Sequence, residues 1–258
     1  MCLVLFAWKT HPKYSLIVAS NRDEYHNRPS ALAHRWTTDP NITAGQDLEQ
    51  LGTWMGVTGS GRWAVVTNFR EATTIKESKK SRGHLTTGFL SGGMSPESYV
   101  SALKSNLTDY RGFNLIVGDC SSIKYITNRQ TEEKKPEASI KKPGIYGLSN
   151  HLLNTHWPKV VRGKTHLQQL INKNEVIQFE DVMDFMSDTT KPSDKLLPNS
   201  GVTLDQERTL SPMFIKTPDY GTRATSLLLI DNNSSTIQFS EATFDASGTK
   251  ISNRTYIV

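Results

Sequence analysis

A cysteine directly follows the initiator methionine, and further on an apolar run ends in Ser20-Asn21-Arg22-Asp23-Glu24. If Met1 is removed, which a small second residue permits, Cys2 carries a thiol and a free α-amine on one residue. The amine ordinarily titrates at about 7.7–8.0, so near neutrality part of it is unprotonated and can act as a base. The thiol is the most nucleophilic of the common side chains and needs only modest activation. Such a centre also needs a carboxylate to orient the amine, donors for an oxyanion and a nearby cation. Asp23 is the natural acceptor for the ammonium. Asn68, closing "AVVTN", and Asn150, closing "YGLSN", place amides at strand ends, and Arg223 in "YGTRATS" offers the cation. Taken singly, each has an ordinary explanation: a buried strand cysteine, turn-forming Asn and Asp, an exposed charge cluster at Arg22-Asp23-Glu24. The case for a site is that four residue types suited to one mechanism stand at separate strand ends.

The elements that must position them are mostly strands. "CLVLFAW", "SLIVAS", "TWMGV" and "WAVVTNF" carry β-branched and aromatic residues, and the Gly-Ser-Gly turn between the last two predicts a hairpin. A basic loop follows, then two helical stretches, "GHLTTGFLSG" and "SPESYVSALKSNL"; the second has Ser95 as N-cap and Pro96 in the first turn. Strands are expected again at "FNLIVGD", "IKYITN" and "IYGLSN". "WPKVVRGKTHLQQLI" and "QFEDVMDFMSD" read as helices, and the polar connector 188–211 as a mobile insert or lid. "PMFIK", "GTRATSLLLID", "TIQFSEATF" and "NRTYIV" complete the strands. This order is α+β with mainly antiparallel sheet, not the β-α-β alternation of a nucleotide-binding fold, and no GxGxxG or GxxxxGK[ST] is present.

Composition narrows the function classes. The chain has 258 residues, 36% of them hydrophobic, and its apolar runs are too short to cross a bilayer, so no transmembrane segment is expected. No charged region precedes the N-terminal apolar stretch, and two cysteines make no disulfide framework; a cytoplasmic location is the expectation. A net charge of +5 comes from 30 basic and 25 acidic residues, scattered apart from runs at 76–84 and 132–144. Those runs suit solvated loops, and without an RNP, helix-turn-helix or zinc-finger pattern no nucleic-acid partner is expected.

The stretches "MCLVLFAW…LIVASNRDEYHNRPS", "LGTWMGVTGSGRWAVVTNFRE", "SRGHL", "GFNLIVGD", "YGLSNHLLNTHWPKV" and "YGTRATSLLLID" together resemble the NRDE family, whose eukaryotic members are called transport and Golgi organization protein 2. The resemblance runs through nearly the whole chain. That family is similar in turn to N-terminal nucleophile hydrolases of the bile-salt-hydrolase and penicillin V acylase group. This implies a four-layer αββα sandwich of mainly antiparallel sheets, as a single domain over 1–258. It also implies Cys2 as nucleophile, Asp23 as the amine-orienting acid with Asn21 beside it, Asn68 at the oxyanion, Asn150 as a second polar site residue and Arg223 as a late arginine. Ser20 stands where those hydrolases carry an arginine, and strand alternation is read as pointing Arg22 elsewhere.

That departure favours a cleft that carries over one that cuts. The resemblance implies intracellular haem trafficking, with acyl-CoA or lipid handling as the other cargo class. Each is a large amphipathic anion, and an apolar-walled, arginine-rimmed cleft suits both. Arg22, Arg28 and Arg223 are candidates for the rim, and Trp36, Trp54 or Trp63 for the walls. The ligand-contact candidates are Asn21, Arg22, Glu24, Arg28, Trp54 and His151, with His151 or Cys2 as axial ligand to haem iron. No CxxCH occurs, so covalent haem attachment of the usual kind is not expected. Haem enters as cargo, and no metal ion or nucleotide cofactor is implied. Transient membrane or haem-protein partners are expected. A Cys2-dependent amidohydrolase on non-peptide C–N bonds is the alternative, and a scaffold role in secretion a third.

Overall fold

The computed structural model describes every residue except 1, 72–79, 130–135, 174 and 235. The fate of Met1 and part of each basic run (76–79 and 132–135) therefore lie outside the described residues. In chain order the strands and helices are β1 (Cys2–Trp8), β2 (Tyr14–Tyr25), β3 (Ser30–Arg35), β4 (Ile42–Asp47), β5 (Met55–Thr58), β6 (Trp63–Asn68), α1 (Gly83–Ser91), α2 (Pro96–Leu103), β7 (Phe113–Gly118), β8 (Ile123–Thr127), β9 (Glu137–Ser139) and β10 (Gly144–Leu148). They continue with α3 (Pro158–Lys173), α4 (Phe179–Met186), α5 (Leu204–Thr209), β11 (Tyr220–Asp231), β12 (Ile237–Phe244) and β13 (Lys250–Ile257).

Among the described residues the strands form two sheets, both antiparallel: β10-β1-β2-β11-β12-β13 and β3-β4-β5-β6-β7-β8-β9. Alternation along β1 explains the layering. Val4, Phe6 and Trp8 enter a core shared by both sheets, whereas Leu3, Leu5 and Ala7 enter a second core under α3 and α4. A third core lies between the other sheet and α1 and α2, built on Phe89, Phe113 and Leu115. Three cores between four layers make the αββα sandwich. No described helix is long and apolar enough to cross a membrane.

Several expectations are corrected. β2 runs beyond the quoted "SLIVAS" through Asn21-Arg22-Asp23-Glu24 to Tyr25, as β1 and β11 pair with it on both sides. β3 and β4 were not expected: their polar sequence carries little β signal, and pairing rather than propensity makes them strands. "PMFIK" is not a strand. Its backbone groups are bonded elsewhere, Phe214 N–H to the Asp188 carbonyl and Ile215 N–H to Thr222 Oγ1, leaving only a bridge from Lys216 to Gly221. The connector 188–211 contains a short helix that was not expected, α5, whose capping box joins Thr203 and Gln206.

Candidate functional site

Cys2 opens β1 directly across from Arg22 on β2, so the two side chains share the face that looks toward the second sheet. Ser20 lies on that face too, opposite Val4, since residues two apart on a strand point the same way. The expectation that alternation turns Arg22 away is therefore overturned: Arg22 stands beside Cys2, one pleat beyond Ser20. Its guanidinium lies over the Trp54 ring at 4.3 Å and its Nη2 is 3.6 Å from Asp47. Trp54 has room to spread there because Gly45 has no side chain; a Cβ on Gly45 would fall 2.3 Å from the ring. Arg22 is 5% exposed, and its Nη1 is buried without a hydrogen-bond partner among the described residues.

These residues line a cleft of about 790 Å³ at the ends of the two sheets. Its wall includes Cys2, Arg22, Asp23, Glu24, Arg28, Trp54 and Asn68, joined by Lys80, Arg82, Arg111, Tyr220, the α5 residues Gln206 and Thr209, and Leu210 just after α5. The sheets are stapled together beside it. Thr67 Oγ1 donates to the Ser149 carbonyl at 2.7 Å, and Asn150 Nδ2 donates to the Asn68 carbonyl at 2.9 Å. Ser149 Oγ in turn donates to the Cys2 carbonyl at 2.9 Å, which fixes the start of β1.

Burial pushes the Cys2 thiol above its ordinary range, and the neighbouring Asp23 adds to the effect. Burial also raises the Asp23 carboxyl, against the opposing pull of Lys159. Asp23 Oδ1 accepts from Thr222 Oγ1 at 2.7 Å, and its carbonyl accepts from Tyr220 Oη at 2.9 Å. Lys159, in the first turn of α3, is 1% exposed and donates to the Leu210 carbonyl at 3.0 Å; burial brings its pKa down to about 8. Arg70 pairs with Glu207 of α5 at 2.5 Å, both buried, and Glu207 also accepts from Ser200 N–H at 2.9 Å. One cleft wall is thus held by buried charges reaching into the Cys2–Asp23 neighbourhood.

The structure brings Cys2, Arg22, Asp23, Glu24, Arg28, Trp54 and Asn68 to the cleft and places the other candidates elsewhere. Asn21 faces the helix layer, where Nδ2 donates to the Met186 and Met213 carbonyls and Oδ1 accepts from Thr225. Asn150 is wholly buried and spends its amide on Asn68. Arg223 sits at a β-bulge and donates to the carbonyls of Tyr25, His26 and Arg28, holding the turn after β2. His151 hydrogen-bonds Thr155 and packs on Phe69 and Trp157, away from the cleft wall. Trp36 and Trp63 belong to the outer and central cores. Sequence reasoning missed Lys159, Arg70, Glu207, Arg82 and Tyr220. Arg82 and Lys159 lie within the quoted stretches "SRGHL" and "HWPKV", but nothing in those strings says that one lines the cleft and the other is buried against Asp23. Among the described residues no cluster of three His, Cys, Asp or Glu side chains is placed to hold a metal ion.

A family model described as Transport and Golgi organisation 2 matches residues 1–246. The mouse Transport and Golgi organization 2 homolog is 31% identical over 252 residues, covering 90% of each chain. The human homolog is 31% identical over 250 residues, covering 90% of this chain and 89% of its own. Two solved structures share the fold across this whole chain at 11% identity. One is the C2A mutant of conjugated bile acid hydrolase from Clostridium perfringens, with a TM-score of 0.57 over 92% of that chain. The other is the Caenorhabditis elegans ortholog of N-acylethanolamine-hydrolyzing acid amidase, with a TM-score of 0.56 over 100% of that chain.

Proposed function

The chain belongs to the Transport and Golgi organisation 2 family, and we propose that its cleft binds and hands on an amphipathic anion, with haem as the cargo. The observation that carries this reading is Arg22, a buried guanidinium stacked on Trp54 beside Cys2, only grazed by Asp47. A cation held this way on an aromatic face is preorganised for a carboxylate. Five cations, Arg22, Arg28, Lys80, Arg82 and Arg111, line the cleft against the three carboxylates of Asp23, Glu24 and Asp47, which favours an anionic ligand. The volume of about 790 Å³ falls in the range of about 300–1,000 Å³ usual for small-molecule sites. In this reading the propionates of haem meet the arginines, Arg22 among them as Trp54 holds it. Cys2 would supply the axial donor, as no histidine is among the described residues lining the cleft. Its raised pKa means that binding iron as thiolate releases a proton. Acyl-CoA or another lipid-like anion would use the same anchors.

A second reading keeps the chemistry of the fold. Cys2, Asp23 and Asn68 meet in one cleft, the arrangement a Cys2-dependent amidohydrolase on non-peptide C–N bonds needs. The thiol would add to an amide carbonyl, its proton passing to the Cys2 α-amine, with Asn68 donating to the oxyanion. The amine would then protonate the leaving nitrogen, and water would release the acyl group. Loss of Met1 is a precondition.

Haemin titration followed by Soret absorbance tests the first reading. Saturable binding is expected, weakened about tenfold in Arg22→Ala by loss of one charge-assisted contact, and with a shifted Soret band in Cys2→Ala. Absence of saturable binding, together with Cys2-dependent cleavage of an N-acyl amide by protein whose intact mass lacks Met1, would replace it with the second.

A further inference from the structure

Three large apolar side chains stand open to solvent beside the cleft: Tyr25, which lines it, is 58% exposed, and Leu48 and Leu51, in the turn that carries the lining residues Asp47 and Gln50, are 47% and 63% exposed. They belong to two turns bound to each other, Leu48 N–H donating to the Pro29 carbonyl at 3.0 Å and Arg28 pairing with Asp47 and Glu49. The α5 wall adds exposed Leu204. Single exposed leucines are common on proteins; several gathered around one opening mark a surface that meets something.

The turn carrying the leucines is rigid. Leu51 N–H donates to the Asp47 carbonyl at 2.8 Å, and Asp47 Oδ1 accepts from the N–H groups of Glu49 and Gln50. The His84 ring is 2.7 Å from the Gln50 carbonyl, and Gly52 packs on Gly83 so closely that a Cβ would lie 2.7 Å from its carbonyl carbon. Leu51 is held at φ +57°, in the left-handed region that suits Gly or Asn and disfavours a branched side chain. Folding gives no reason for a solvent-facing leucine there. A turn braced to present it does.

The charge beside it points to the partner. Gly83 follows Arg82, and Arg82 donates to the Gly112 carbonyl next to Arg111, so the leucine turn abuts two cleft-lining arginines. Arg28 and Lys80 already have carboxylate partners in Asp47, Glu49 and Asp109, so the cations left at the mouth for a ligand are Arg82, which also feels Glu24, and the exposed Arg111. Apolar tips and a tyrosine ringed by arginines around an opening match the interface of an anionic bilayer, where leucines enter the acyl region and guanidinium groups meet headgroups.

We propose that the cleft mouth is a docking surface for an anionic lipid bilayer, with Tyr25, Leu48 and Leu51 inserting and Arg82 and Arg111 contacting headgroups. The cleft then opens onto the membrane, and an amphipathic ligand enters or leaves it without crossing water. The docking itself does not depend on which ligand the cleft carries.

Vesicle flotation of the full chain without cargo tests this. Binding is expected to phosphatidylcholine vesicles containing about 30 mol% phosphatidylserine, and weaker binding to phosphatidylcholine alone, since each rim cation gains from a negative surface. Leu48→Ser with Leu51→Asn should lower binding about tenfold or more, as two apolar side chains no longer leave water. Asn suits the left-handed position, so an unchanged or raised urea midpoint in Leu51→Asn separates lost docking from lost folding. Arg111→Glu should abolish the preference for phosphatidylserine. No binding to either vesicle, the result a protein partner for this surface would give, overturns the proposal, as does binding that survives the double substitution. Haemin titration of the same preparations reports on the cleft separately, so either proposal can fail alone.

Discussion

Replacing Asn21 by leucine asks whether the first residue of the NRDE stretch contacts ligand or holds the fold. The side chain donates to the Met186 carbonyl at 2.9 Å and the Met213 carbonyl at 2.8 Å, and accepts from Thr225 Oγ1 at 2.6 Å. Residue 21 is wholly buried, so no water replaces what is lost. Each buried polar group left without a partner costs about 1–3 kcal/mol, and three are stranded at once, while the added apolar surface of leucine returns about 1–2 kcal/mol. A net loss of about 1–8 kcal/mol is expected, at its upper end comparable to the roughly 5–15 kcal/mol that holds a domain folded. Urea unfolding followed by tryptophan fluorescence measures it, with the midpoint falling and the slope unchanged. Adding Thr225→Val removes one stranded hydroxyl and should restore about 1 kcal/mol, a coupling the double-mutant cycle reads directly. A loss below about 1 kcal/mol would refute the accounting. So would a stable Asn21→Leu protein that no longer binds haemin, which would make Asn21 a ligand contact after all.

Two further outcomes follow from buried charge. Glu241 of β12 accepts from Ala33 N–H at 2.8 Å and Ser226 Oγ at 3.1 Å, joining β12 to β3, and burial lifts its pKa from an ordinary 4.5 to about 7. The folded chain then holds a proton that the unfolded chain releases, so this contribution is full below about pH 4.5 and is lost as pH rises to about 7. Its size is at most about 3 kcal/mol. Glu241→Gln should raise stability by about 1–3 kcal/mol at pH 8 and remove that slope, and a wild-type minus variant difference that is flat across this window would contradict the assignment. Glu207→Ala leaves Arg70 buried without its carboxylate, which costs about 3–5 kcal/mol, and unpins α5. Trypsin should cut after Lys195 and Arg208 about tenfold faster, ahead of global unfolding; unchanged cleavage would show that the connector is held by something else.

Local pattern carried much of this protein. Alternation in "CLVLFAW" and "SLIVAS" assigns faces to β1 and β2, and a hairpin between them brings Cys2 close to the Arg22-Asp23 stretch with little help from the rest of the chain. Asn68 follows in the same way from the end of β6. The misplaced candidates are Asn21, inside β2, and Asn150, His151 and Arg223, at or near strand ends, and sequence cannot say whether such a polar group faces the cleft or is spent on a distant backbone carbonyl. Asn21 meets Met213 across 192 positions and Arg70 meets Glu207 across 137. Which buried polar group finds which partner is settled when the helix layers close on the sheets, because each must trade its water for a hydrogen bond supplied by another part of the chain. The types and spacing of Cys2 and Asp23 were written in the sequence. That Arg22 stands beside Cys2 on a tryptophan, and that α5 is tied down by buried charges, was decided by tertiary packing, since both arrangements depend on residues that only the folded chain brings within reach.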